Sequence, residues 1–90
     1  MTTYEAACIM QRELKNCAYE LGSTSYQDRC ESIKVTYSGN TIYVRVTMIV
    51  KGPYYDEEVR QNVVNTVDSI RHQYELNDYG FDIETRCIRG

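Results

Sequence analysis

Apolar and polar residues alternate from about Glu31 to Lys51, and on both sides of that stretch the repeat lengthens to three and four. A period of two marks strands, and a period near 3.6 marks helices. The first helical stretch opens with Thr2 and Glu5, spaced as a capping box in which each side chain satisfies the other's backbone N–H. Tyr4, Ala7, Met10, Leu14, Cys17 and Leu21 then fall on one face, and Gly22 supplies a left-handed stop. Ser23 to Arg29 reads as a polar loop. Ile33, Val35 and Tyr37 point one way, and Ser32, Lys34 and Thr36 the other. Ser38-Gly39-Asn40 forms a turn. Ile42, Val44, Val46, Met48 and Val50 then alternate with Thr41, Tyr43, Arg45, Thr47, Ile49 and Lys51. This is a β-hairpin with one apolar and one mostly polar face.

Gly52-Pro53 breaks the second strand. Asp56, Glu57 and Glu58 place negative charge where a helix N-terminus favours it. Val59, Val63, Val67, Ile70 and Tyr74 follow at helical spacing. Asn77 to Gly80 is a turn, and Phe81, Ile83, Thr85 and Cys87 alternate with Asp82, Glu84, Arg86 and Ile88 in a closing strand. The order αββαβ predicts an α+β fold, a two-layer sandwich with both helices on one face of a three-stranded sheet. The last strand fits beside the first, giving an antiparallel sheet, or beside the second, giving a mixed one with a helical crossover.

Composition narrows the class. Ninety residues make one domain, spanning 1–90, and 42% hydrophobic with 26% charged residues is a globular balance. No apolar run approaches the roughly 20 residues a membrane helix needs. The start MTTYEAACIM lacks the basic flank and apolar stretch of a secretory signal, so a cytoplasmic location is expected. A net charge of −3 argues against nonspecific nucleic-acid binding, which depends on Lys and Arg neutralising phosphate. Cys8, Cys17, Cys30 and Cys87 show neither a C-x-x-C pair nor a histidine at zinc-finger distance. They read as small hydrophobes in a reducing compartment, although an even set also allows bridges.

Residues suited to chemistry are few. The one histidine, His72, lies between Arg71 and Gln73, off the valine stripe, and reads as a solvated surface residue. Asp56-Glu57-Glu58 has the composition to attract a hard cation, but its charge suffices as a complement to the helix dipole. No serine elbow or glycine-rich phosphate loop occurs, so no catalytic residues, metal ligands or cofactor are assigned and an enzyme is not expected. Nine tyrosines are the unusual feature. Tyr26, Tyr54, Tyr55 and Tyr79 fall in loops, where a ring with a polar end suits a surface that is wet before binding and dry afterwards. The second candidate surface is the sheet face opposite the helices. It carries Tyr43, Arg45, Ile49, Arg86 and Ile88 among Lys34, Thr36, Thr47, Lys51, Asp82 and Glu84. Tyr, Arg and Ile on an open face give interface composition.

The run Ile33–Ile88 resembles, at the level of pattern, the cytoplasmic C-terminal domain of cation diffusion facilitators, with the same element order and a helix opening in Glu57-Glu58. That resemblance implies a cytosolic homodimer that senses divalent metal through several histidines and carboxylates, of which His72 is this chain's one histidine. The hairpin followed by Val59, Val63 and Val67 is also similar to the alkaline-shock-protein family of Gram-positive bacteria, which implies an oligomeric, non-catalytic part. A type II KH domain begins αββα too and implies RNA binding, but its G-x-x-G loop is missing here.

The expected function is a non-catalytic interaction or oligomerisation module that binds a protein partner or a second copy of itself. Direct nucleic-acid binding is not expected. An alternative is a small acidic inhibitor, encoded by a mobile element, that blocks a nucleic-acid-binding protein. That reading requires Asp28, Glu31, Asp56, Glu57, Glu58, Asp68 and Glu75 to cluster on one surface. Metal sensing and RNA binding are further alternatives.

Overall fold

A computed structural model describes residues 1–18, 21, 29–50 and 56–89 of the chain. The elements follow the order α1 (Thr3–Asn16), β1 (Arg29–Ser38), β2 (Thr41–Val50), α2 (Asp56–Gln73) and β3 (Gly80–Arg89). The sheet order is β1-β2-β3, antiparallel between β1 and β2 and parallel between β2 and β3. The sheet is therefore mixed, and α2 makes the crossover between the parallel strands.

The local signals act as their chemistry requires. Thr2 caps α1: the Glu5 N–H donates to Thr2 Oγ1 at 3.1 Å, and the Thr2 N–H donates back to Glu5 Oε1 at 3.4 Å. α1 buries Ala6, Ala7, Met10 and Leu14. It ends at Asn16, well before the Leu21 that the apolar spacing suggested. Cys17 closes the helix with its N–H on the Glu13 carbonyl, and Leu21 reaches the core from a turn in which its N–H donates to Ala18. Periodicity reported the burial of Leu21 but not the backbone that achieves it. The expected stop, Gly22, lies outside the described residues.

The β1–β2 turn has Gly39 at φ +58°, and Asn40 has no positive φ. A positive φ at the first central residue alone is the pattern of a type II′ turn, in which glycine avoids the steric cost of a Cβ. A bulge between Cys30 and Ser32 leaves Glu31 without a partner across the ladder, so Cys30 shares a face with Ile33 and Val35.

α2 ends in a Schellman motif. Leu76 N–H donates to Arg71 O at 2.8 Å and Glu75 N–H to His72 O at 3.4 Å, with Glu75 at φ +56° and Leu76 fully buried behind it. Burial is complete along the helix side of β2, at Ile42, Val44, Val46, Met48 and Val50. It is only partial for Ile33 and Val35 on β1 and for Phe81, Ile83 and Cys87 on β3. The helix layer is therefore centred over β2 and leaves both sheet margins half open.

Candidate functional site

The sheet register places the outward residues in rows. Across β1, β2 and β3 they read Thr36–Tyr43–Asp82, Lys34–Arg45–Glu84, Ser32–Thr47–Arg86 and Arg29–Ile49–Ile88. No described element covers this face, because both helices bury their apolar stripes against the other side. Tyr43, Arg45, Ile49, Arg86 and Ile88, which the sequence had assigned to one surface, do stand together.

Arg45 organises the middle of that face. Its guanidinium lies 5.6 Å from the Tyr43 ring centroid, 3.1 Å from Glu84 Oε2 and 3.6 Å from Asp82 Oδ1. It also donates to the Asp82 carbonyl at 3.2 Å. These are solvent-exposed pairs, each worth at most about 1 kcal/mol, so their effect is mainly to hold the side chain flat across the strands. One guanidinium thus offsets one of the two carboxylate charges of Asp82 and Glu84. Ile49 and Ile88 sit side by side at the far end, with Ile88 39% exposed, and Arg86 and Arg29 border them.

Positive side chains on this face, Arg29, Lys34, Arg45 and Arg86, outnumber the carboxylates of Asp82 and Glu84. The helix layer is the reverse. Glu5, Glu13, Asp56, Glu57, Glu58 and Asp68 lie on α1 and α2 against Arg12, Lys15, Arg60 and Arg71. An acidic chain thus presents a basic sheet.

The acidic residues do not form one field. Asp56 pairs with Arg89 at 2.7 Å, Glu57 with Arg60 at 3.1 Å and Asp68 with Arg71 at 3.3 Å. Glu31 lies on β1, at the opposite edge from β3, and Asp28 lies outside the described residues.

The loop tyrosines divide. Tyr26, Tyr54 and Tyr55 lie outside the described residues, as does Lys51. Tyr79 packs against the core, and its hydroxyl donates to the Met1 carbonyl at 2.6 Å, which pins the N-terminus to the entry of β3. Its hydroxyl is thus engaged within the fold.

Sequence reasoning missed a third surface, where α1 meets the β1 edge. Tyr4 and Tyr37 were both assigned to buried stripes, yet they are 59% and 48% exposed, edge-to-face with centroids 6.0 Å apart. Together with Ala7, Cys8, Gln11, Val35 and Thr36 they line a groove. A hydrogen bond with Cys8 raises the Tyr4 hydroxyl above its ordinary value. The signal that locates this surface is lateral position in the sheet, which period-two alternation does not encode.

His72 is exposed on α2. Among the described residues no group of three or more His, Cys, Asp or Glu is placed to hold a metal. The groove between the helices is lined by Glu13, Asn65, Thr66, Ser69 and Gln73, and Cys17 there directs its thiol to the Glu13 carbonyl. The Glu13 carboxylate accepts from the Tyr74 hydroxyl, which raises the phenol's pKa. Cys17, Cys30 and Cys87 pack against the core as small hydrophobes, and burial raises the Cys30 thiol. Cys8 is exposed.

The geometry defines a two-layer α+β domain with a mixed sheet open on one face. No protein-family model matches the chain, and no curated protein matches it. Among solved structures it is similar to the MamB CTD magnetosome protein of Desulfamplus magnetovallimortis BW-1. The identity is 15%, the TM-score is 0.46, and the match covers 98% of this chain and 93% of that one. No helix in the described residues is long and apolar enough to cross a membrane.

Proposed function

We propose that the chain is a non-catalytic interaction module whose uncovered sheet face docks a partner protein bearing an acidic surface. The observation that carries this reading is the segregation of charge. Arg45 engages Asp82 and Glu84 within the chain and offsets one of their two charges, while Arg29, Lys34 and Arg86 leave the face a surplus of positive charge to meet carboxylates from outside. Ile49 and Ile88 supply an apolar anchor beside them, the combination that desolvates well at an interface centre. A second copy presenting the same face would oppose like charges, so the favoured occupant is a different protein. Single-stranded nucleic acid is disfavoured because Tyr43 is the one aromatic on the face among the described residues, and such platforms stack successive bases on several. A cytoplasmic setting suits the exposed thiol of Cys8.

The test is co-purification from the source cells, comparing the wild-type chain with a variant carrying Arg86→Glu and Ile88→Asp. Wild type retains an acidic protein that high salt releases, and the variant loses it while keeping its melting temperature within a few degrees. Equal retention by both chains, or bound material that nuclease removes, overturns the proposal.

A further inference from the structure

The α1–β1 edge is a separate surface from the sheet face, and its chemistry differs. β1 is an edge strand. A two-residue turn makes Ser38 and Thr41 a hydrogen-bonded pair, and alternation from there directs the backbone of Ser38, Thr36 and Lys34 toward β2. The N–H and C=O groups of Tyr37, Val35 and Ile33 therefore point away from the sheet, as a row that a further strand would pair.

Directly above that row, α1 turns an uncharged stripe toward the same edge. Tyr4, Ala7, Cys8 and Gln11 line the groove with Val35, Thr36 and Tyr37, and none of these residues is charged. Lys15 continues the stripe and lies beside Glu31, Ser32 and Ile33, so α1 runs antiparallel to β1. Of the exposed large hydrophobics among the described residues, Tyr4 and Tyr37 lie at this edge. The β3 edge contrasts with this. There Arg89 is tied to Asp56 of α2, and Arg71 lies over Phe81 with its guanidinium 4.8 Å from the ring centroid.

We infer that this edge is a self-interface, in which β1 pairs antiparallel with β1 of a second copy to make one six-stranded sheet. The choice of a second copy rests on the fit of the edge to itself. The outward backbone row is centred on Val35, and the stripe Tyr4–Cys8–Gln11–Lys15 is centred between Cys8 and Gln11, over Val35 in the same groove. A single twofold axis through Val35 therefore serves both layers. It sets Val35 against Val35, Ile33 against Tyr37 and Lys34 against Thr36, so no charged residue of β1 meets itself. In the helix layer it runs the two α1 helices antiparallel, with Tyr4 facing Lys15 and the dipoles opposed. The small Cys8 side chain at the centre permits the close approach that packed helices require, and the half-open margin over Ile33 and Val35 leaves room for it. The two sheet faces then lie side by side on one surface, so this inference extends the docking reading without depending on it.

The test combines mass with backbone protection. Light scattering of the wild-type chain, with reductant, gives twice the 10.5 kDa chain mass at micromolar concentration. Amides of Val35 and Tyr37 exchange slowly in that dimer and quickly on dilution to monomer. Gln11→Glu and Gln11→Lys place like charges near the axis, so each weakens the dimer at least tenfold while melting as a folded monomer. Mixing the two variants restores a dimer. Arg86→Glu, on the sheet face, leaves the mass unchanged. A wild-type monomer at hundreds of micromolar overturns the inference. So does a dimer that ignores both Gln11 substitutions, or one that Arg86→Glu dissolves.

Discussion

Glu75 occupies a backbone position that glycine fills best. At φ +56° its Cβ crowds the following carbonyl, and the Schellman hydrogen bonds around it hold that conformation in place. Glu75→Gly should raise stability by ~1 kcal/mol, the left-handed strain removed less the extra chain entropy glycine loses. Glu75→Ala should give no gain, and thermal melts of the two variants separate backbone strain from loss of the carboxylate. Tyr74 shows a different residue-scale effect. Its hydroxyl donates to the Glu13 carboxylate, and that bond raises the phenol above its ordinary value of 10.0. The protonated phenol is the stabilising form, so the contribution is fully present below pH 10 and is lost as pH rises through the higher folded value. The gap in melting temperature between wild type and Tyr74→Phe should therefore be open at pH 8 and narrow as the pH rises above 10. A gap that widened would show that the bond does not form.

At the scale of elements, much was legible because each signal is local. Thr2 with Glu5, the alternation through Ile42 to Val50, and the valines of α2 each report a backbone period and a capping chemistry that neighbours in sequence decide. Two features were not legible. The position of β3 beside β2 was not, because Phe81, Ile83, Thr85 and Cys87 alternate identically next to either neighbour. The extent of α1 was not, because Leu21 is buried from a turn rather than from a helix. The strand order has an energetic reading after the fact: β2 carries the fully buried row, so it takes the centre, where both layers of neighbours cover it. Val63 lies in the middle of the α2 stripe and is fully buried. Val63→Ala should cost about 1–3 kcal/mol through lost transfer energy and a cavity that packed neighbours cannot close. A denaturant melt showing less than ~0.5 kcal/mol would mean that α2 does not pack as described.

The whole molecule separates its charge and its apolar surface into three territories. The helix layer is acidic and largely paired within itself, the sheet face is basic, and the groove between Tyr4 and Gln11 of α1 and the β1 edge is lined by uncharged residues. Sequence reading found the sheet face, since outward residues follow from alternation alone. It missed the edge, since Tyr4 and Tyr37 have the period of buried residues and are exposed only because β1 is marginal in the sheet. The candidate loop residues Tyr26, Tyr54 and Tyr55 remain a proposal, and Tyr79 is engaged with Met1. The central claim is that the sheet face, not the helix layer, meets the partner. Its most direct test is a photo-crosslinking residue placed in living cells at Thr47, in the middle of that face, and separately at Gln61, exposed on α2. The account predicts a discrete adduct with an acidic protein from Thr47 and none from Gln61. An adduct from Gln61 alone, or the same adducts from both positions, would contradict it.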